Sequence, residues 1–213
     1  MRCAGHDPDM LIVGNTPCPG SSGMGCGTFT PAEEGARNPN SLALAACDLP
    51  SQQIVPCVAE TVFSLWCLWS APLLMSNDLG KIPPASKKLL QNTELLAVNQ
   101  DALGRMASRF SVTLGAAGAE GTGQGWRKDL ANGDVAVVLF NPGESATKLS
   151  FDLVDAGFAP DTRVHVMDLL GAGDGSGSGE WSRGSYETAE AIAPHGSAAL
   201  RLSFMPRCPG KEL

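Results

Sequence analysis

The spacing of apolar residues changes along the chain, from helical before about residue 104 to alternating after about residue 108. The apolar run at 63–69 predicts a buried helix that starts near residue 58, and 83–95 predicts a second helix. Between them, 72–78 is a short apolar run with a polar end, which predicts a buried strand. Helix, strand, helix is typical of a parallel barrel or a doubly wound sheet.

The second half reads as an antiparallel sheet. Asn132-Gly133 precedes its first strongly apolar run and predicts a type I′ hairpin turn. Several short strands at this spacing indicate a β-sandwich. Strands are predicted at 134–140, 148–153, 163–167, 185–188 and 197–204. We therefore expect two domains, at 1–104 and 108–206.

Composition limits the classes of protein that need to be considered. The chain has 213 residues, 43% of them hydrophobic, with a mean hydropathy near zero and a formal charge of −7. Its longest apolar run, at 63–75, is too short for a bilayer span of about 20 residues, and no signal-peptide pattern is visible at the start. The negative charge argues against a nucleic-acid partner, because phosphate binding requires clustered lysine and arginine.

The seven cysteines show no metal-ligand spacing. Cys18 and Cys26 flank a Gly/Ser-rich loop, which predicts a disulfide across it, and Cys47 with Cys57 is a second candidate pair. Cys67, inside an apolar run, is predicted to be a buried small hydrophobe. A disulfide would indicate a secretory or lysosome-like compartment.

Candidate chemistry begins in the loop at 5–15, which carries His6, Asp7, Asp9 and Met10. These side chains either line a polar pocket or, for the aspartates, cap backbone amides in a tight Asp-Pro-Asp turn. Two carboxylates at i and i+2 share one loop and do not easily reach opposite sides of a substrate, which disfavours a catalytic pair. A metal site formed by His6, Asp7 and Asp9 is disfavoured because neither further ligands nor a phosphate-binding loop accompany them.

Other polar and aromatic residues have plainer interpretations. Asn77 and Asp78 end the predicted strand, the end at which barrel enzymes hold their chemistry, although helix capping explains them equally well. The stretch 99–101 is expected to tie the last helix to the following domain. Trp66 and Trp69 are expected in the core. His165 and His195 have no sequence neighbour that suggests catalysis.

Several stretches, taken in order, resemble glycoside hydrolase family 27, the α-galactosidases and α-N-acetylgalactosaminidases. They are 7–11 with 14–15, 63–66, 71–74 with 77–79, 97–104, Trp126, 134–141 and 194–196. Their shared order over most of the chain makes the resemblance specific. It implies a (β/α)8 TIM barrel followed by an antiparallel β-sandwich, with this chain matching only from the loop after the seventh barrel strand onward.

The resemblance implies retaining hydrolysis of terminal α-linked galactose, with two catalytic aspartates about 5–5.5 Å apart. Both aspartates lie upstream of the matched region, so no residue of this chain receives a catalytic role. By the same resemblance, Asp9 hydrogen-bonds sugar hydroxyls and Met10 packs on the sugar ring. No metal or cofactor is implied. The implied substrates are α-galactosides carried by an oligosaccharide, a glycolipid or a glycoprotein. The implied protein partner is a second copy of the complete enzyme, and the implied location is secreted or lysosome- or vacuole-like.

The chain also departs from the family pattern. Gly5-His6 stand where the family has Trp-Asn, Ala102 stands where proline is usual, and 38–62 has no counterpart and splits a helix. A retained intron or a misplaced gene start would explain the insertion and the missing front, and Met1 would then be an arbitrary beginning. We expect the chain alone to be inactive. The alternatives are a non-catalytic β-sandwich module with a vestigial barrel remnant and an α-N-acetylgalactosaminidase.

Overall fold

The computed structural model describes residues 56–75, 80, 82–114, 123–143, 145–171 and 179–204. The predicted Cys18–Cys26 disulfide lies outside this part of the chain. Within it, three helices precede eight strands. The helices are α1 (Pro56–Leu68), α2 (Pro84–Leu90) and α3 (Thr93–Asn99). The strands are β1 (Ser108–Leu114), β2 (Gly123–Asp129), β3 (Val135–Phe140), β4 (Leu149–Asp152), β5 (Arg163–Asp168), β6 (Glu180–Arg183), β7 (Ser185–Glu187) and β8 (Ser197–Phe204).

The eight strands pair antiparallel in the closed order β1-β2-β3-β8-β5-β6-β7-β4. Two corners close it. Strand β1 pairs with β2 through 108–112 and then with β4 through 113–114. Strand β6 pairs with β5, and β7 pairs with β4. Only Gly184, with φ 80°, separates β6 from β7, so the chain changes partner strand at this residue. Strands that change sheets at bends join the two layers of a sandwich, so the predicted antiparallel β-sandwich is confirmed.

Strand β3 is buried on both faces, which explains its unbroken apolar sequence. Val135, Val137 and Leu139 pack inside the sandwich, in a cluster that includes Phe151. Ala136 and Val138, which alternate with them, pack on the other side, against the helices. One strand therefore contributes to two hydrophobic clusters.

The helices lie on the outer face of the sheet, where α1 contacts β2, β3 and β8. Phe63 of α1 and Leu95 of α3 are buried with Ala136, Val138 and Ala199 of the sheet. The predicted helix near residue 58 is thus confirmed, and the sheet covers its apolar face. Among the described helices, none has the length and apolar character needed to span a membrane.

The hairpin between β2 and β3 differs from the prediction. Gly133 has φ 89°, but Asn132 does not have the positive φ that a type I′ turn requires at both central residues. The backbone N–H of Gly133 donates to Leu130 O at 3.0 Å, and that of Leu130 donates to Asp134 O at 2.9 Å. The type I′ prediction was wrong: Gly133 instead follows a tight turn as a bulge residue.

The predicted helix over 83–95 is two helices, because Asn92 starts a new one. Its side-chain oxygen accepts a hydrogen bond from the Leu95 N–H at 3.0 Å, and its side-chain amide donates to Leu169 O at 2.8 Å. This N-cap satisfies an amide that the previous turn leaves unpaired. The tertiary contact to Leu169 therefore fixes the break between α2 and α3.

The predicted buried strand at 72–78 was wrong over its described part. Residues 71–74 have neither helical nor strand conformation, and Leu74 and Met75 are 55% and 48% exposed. Asn77 and Asp78, at its predicted polar end, lie outside the described residues. The TIM-barrel strand expected here is therefore not confirmed.

Candidate functional site

The predicted sugar-binding residues, Asp9 and Met10, lie outside the described part of the chain, as does the rest of their loop. Asn77 and Asp78 lie outside it as well. The described residues include the junction between the helices and the β-sandwich. The segment that leaves α1 at this junction leads on to Asn77 in the sequence. The junction brings together buried polar side chains from the helical part and from β2, among them Asn92 and Lys128.

Hydrogen bonds to α3 and to the linker after it fix the segment that follows α1. The Ala71 N–H donates to Trp66 O at 3.1 Å, and the Asn99 side-chain amide donates to Ala71 O at 2.9 Å. Ser70, with φ 52°, donates from its hydroxyl to Arg105 O at 3.3 Å. The chain thus leaves α1 along a path defined by specific contacts.

Asp101 connects the end of α3 to the β2–β3 hairpin. One carboxylate oxygen accepts from the Ala131 N–H at 2.9 Å, and the other accepts from the Leu103 N–H at 3.0 Å. The Ala131 contact confirms for Asp101 the expectation that 99–101 ties the last helix to the following domain, whereas the Asn99 amide binds the segment after α1.

Lys128 of β2 is the residue of the junction that sequence reasoning missed. Its side chain points to the helices and is buried. Its ammonium donates to Ser70 Oγ at 2.6 Å and to Val98 O in the last turn of α3. Burial lowers the pKa of Lys128, while Asp101 and Cys67 act in the opposite direction. A buried lysine in a strand has no sequence signal, because most lysines are exposed.

The aromatic residues of α1 form part of the core, as expected. Trp66 is buried, and Trp69 packs edge-to-face on Trp126 with ring centroids 5.5 Å apart. Cys67 is fully buried, and burial raises the pKa of its thiol to about 12. A thiol this difficult to ionise is a poor nucleophile, so the prediction of a small buried hydrophobe is confirmed.

Arg201 of β8 makes two ionic contacts, one to Asp134 just before β3 and one to Glu94 of α3. The Arg201 Nε donates to Asp134 at 2.7 Å, and its terminal nitrogen donates to Glu94 at 3.2 Å. His195, with φ 56°, accepts a hydrogen bond at its carbonyl oxygen from the Thr61 hydroxyl at 3.2 Å. In the described part of the chain, these contacts position backbone and assemble no group of three or more potential metal ligands.

Glu60 of α1 faces Asp168 at the edge of the junction. Partial burial raises the pKa of Glu60, and the Asp168 carboxylate raises it further. A raised pKa means that folding favours the protonated form. Glu60 therefore adds stability below its ordinary value of 4.5, and this contribution is lost as the pH rises through the folded-state pKa.

We expect Glu60→Gln to stabilise the fold at pH 7 by about 0.5 kcal/mol, a small value because solvent screens a half-exposed carboxylate. Thermal unfolding at pH 7 and pH 4.5 measures the effect, and the gain should shrink at the lower pH. Glu190→Gln removes an exposed carboxylate as the matched control. An equal gain in both variants would contradict the assignment to Glu60.

Comparisons with known proteins follow the same division of the chain. A family model described as "Alpha galactosidase C-terminal beta sandwich domain" matches residues 120–202, which cover most of the strands. A second, described as "Alpha galactosidase A", matches residues 32–101, which include α1 to α3. The two matches lie in consecutive parts of the chain and carry related descriptions.

Individual relatives agree with the family models. The chain is 29% identical over 163 residues to human alpha-galactosidase A. This alignment covers 72% of this chain and 34% of the human protein. The chain is 50% identical over 52 residues to alpha-N-acetylgalactosaminidase of Gallus gallus, 24% of this chain and 13% of that one. Alpha-galactosidase I of Mortierella vinacea shares the fold, with TM-score 0.57 and 24% identity over 67% of this chain and 34% of that structure.

The two matches define the class of protein as one with helices that pack on an antiparallel β-sandwich, both parts resembling α-galactosidases. The chain belongs to glycoside hydrolase family 27 and matches the C-terminal portion of that family. It spans about a quarter to a third of the length of the first curated relatives it matches.

Proposed function

We propose that this chain is part of an α-galactosidase-type hydrolase that releases terminal α-linked galactose with retained configuration. The observation that carries the proposal is the junction at Lys128 and Asp101, where the helices matched by one family model pack on the sandwich matched by the other. Both parts share one hydrophobic core. They therefore form one unit of an enzyme architecture rather than a sandwich with an unrelated tail.

We further propose that 1–104 is the last part of a TIM barrel and that 108–206 is the sandwich domain. The exposed side chains of Leu74 and Met75 support a barrel remnant, because two neighbouring large apolar side chains are the kind of surface that further barrel elements would cover. The resemblance to family 27 supports two further proposals for the complete enzyme. The enzyme pairs with a second copy of itself, and its location is secreted or lysosome-like.

The substrate pocket in this proposal includes Asp9, which binds sugar hydroxyls, and Met10, which packs on the ring. The nucleophile and the acid/base match no residue of this chain. Galactose is the substrate we favour, because the relatives named for galactosidase activity match the longer stretches. The short, more identical match to an alpha-N-acetylgalactosaminidase supports that activity as the second candidate.

We expect purified residues 1–213 to show no turnover of p-nitrophenyl α-galactoside. A chimera in which the portion of human alpha-galactosidase A that precedes its matched stretch is joined ahead of Gly5 should hydrolyse it. In that chimera, Asp9→Asn should lower kcat/KM by about 100-fold, because a charged hydrogen bond to the substrate is lost. The matched variant Asp7→Asn should cost less than about tenfold.

Two outcomes would count against the proposal. Turnover by the 213 residues alone would overturn the assignment of both catalytic carboxylates to other parts of the enzyme. A folded chimera that cleaves neither the α-galactoside nor the α-N-acetylgalactosaminide would favour the rival function, a non-catalytic β-sandwich module. Circular dichroism of the chimera separates loss of chemistry from loss of fold.

A further inference from the structure

One region of the sandwich remote from the junction carries chemistry that the proposed hydrolysis does not use. On the outer face of β5 and β6, Arg163 lies opposite Arg183, and His165 lies opposite Trp181. The intervening residues of β5, Val164 and Val166, are buried inside the sandwich, so these four side chains share the solvent face. We call this set of four the β5–β6 platform.

An exposed tryptophan is the centre of the platform. Trp181 is 41% exposed, although its indole could bury a large apolar area in a core. The Arg163 guanidinium carbon lies 4.7 Å from the Trp181 ring centroid, and the His165 ring lies 5.3 Å away in an edge-on arrangement. These neighbours hold the indole at the surface in a defined position.

The charges of the platform are not balanced. Arg163 and Arg183 are directly opposed on adjacent strands, an arrangement of like charges that costs stability. Asp161 pairs with Arg183 at 3.2 Å. Arg163 has no carboxylate within ion-pair distance among the described residues, and its ring contact is with Trp181. In a chain with a formal charge of −7, this leaves a local excess of positive charge beside an exposed aromatic ring.

We propose that the β5–β6 platform binds an acidic saccharide, a pyranose ring that carries a carboxylate or sulfate. The apolar face of a sugar ring packs on the part of the indole that Arg163 leaves exposed. The anion accepts hydrogen bonds from the edge of the Arg163 guanidinium, whose planar fork suits a carboxylate or sulfate. A neutral sugar would leave the opposed arginines unbalanced. An acidic peptide presents a rigid flat face to Trp181 only where it carries a proline or an aromatic side chain, whereas every pyranose ring has one. The proposed site shares no residue with the pocket of Asp9 and Met10, so it holds even if the hydrolase proposal fails.

The test is titration of the 213-residue chain with 3′-sialyllactose, followed by NMR of the tryptophan indole N–H signals, with lactose as the neutral control. We expect a dissociation constant on the order of 1 mM, as befits a small open surface. The Trp181 signal, identified with Trp181→Phe, should shift. Arg163→Ala should weaken binding about tenfold or more. Arg109→Ala, which removes an exposed arginine from β1, should leave the affinity unchanged.

Each of four results would overturn the proposal. They are an absence of binding, equal binding of lactose, an affinity unchanged by Arg163→Ala, and equal weakening by Arg109→Ala. Competition with sodium sulfate gives a fifth result that would overturn it. If sulfate displaces 3′-sialyllactose and binds as tightly as the saccharide does, the platform binds simple anions and does not recognise the saccharide. Heteronuclear spectra of each variant show whether the sandwich remains folded, so that a lost shift is not mistaken for a lost structure.

Discussion

Phe63→Ala is expected to lower the free energy of unfolding by about 3–5 kcal/mol, the usual cost of removing a fully buried aromatic ring. Phe63 is 1% exposed and lies where α1 packs on Ala136 and Val138 of β3. Small residues on the sheet cannot move into the space that the ring leaves. The substitution therefore opens a cavity between the helices and the sandwich, and urea denaturation measures the loss.

The matched control is Phe204→Ala, which removes the same ring from a position that is 45% exposed. Because little apolar surface is withdrawn from water there, its cost should stay below about 1 kcal/mol. Tryptophan fluorescence and circular dichroism should follow a single transition in both variants. Equal losses for Phe63→Ala and Phe204→Ala would show that the helices do not share a core with the sandwich.

Lys128→Met is expected to lower the free energy of unfolding by about 2 kcal/mol at pH 7. Methionine keeps an unbranched apolar side chain, one atom shorter than that of lysine, but removes the donor to Val98 O and Ser70 Oγ. A hydrogen bond from a charged group is worth about 1.5–3 kcal/mol, and a buried carbonyl without a donor adds to the loss. Relief from burying the ammonium offsets part of it. Lys148→Met, at an exposed ion pair with Glu187, should cost no more than about 1 kcal/mol.

The pH dependence gives Lys128 a distinct signature. Burial lowers its folded-state pKa below the ordinary value of 10.5. The unfolded chain then binds more protons between these two values, so stability rises with pH across that window and falls as the pH drops through the folded-state pKa. The free-energy gap between the wild type and Lys128→Met should therefore widen from pH 7 toward pH 10.5. A constant gap would contradict a buried ammonium at this position.

Elements with a regular apolar pattern were predictable from the sequence. Strand β3 and helix α1 were found because their burial needs continuous apolar residues. Strand β2 was not predicted as an element, and Gly125 explains why. A Cβ atom there would lie 2.4 Å from a Val112 methyl group and 2.7 Å from the Phe110 ring. The interior face of β2 thus needs glycine where alternation would place a large apolar residue.

Errors elsewhere share a cause, which is contact between residues distant in sequence. Asn92 breaks the predicted helix because the Leu169 carbonyl oxygen, just after β5, accepts a hydrogen bond from its side-chain amide. Lys128 is buried because Val98 and Ser70 face it across the junction. Neither contact leaves a pattern in the local sequence. Of the candidate site, the linking role is confirmed for Asp101, whereas Asp9 and Met10 stay predictions.

The two chain crossings of the sandwich have a mechanical consequence. Strand β1 anchors one side, and the bend at Gly184 anchors the other. Layers held only by apolar contacts can slide past one another by small shear displacements. Here a covalent strap at each flank opposes such sliding, so the relative register of the two layers is set by the backbone itself and not only by how their side chains interlock.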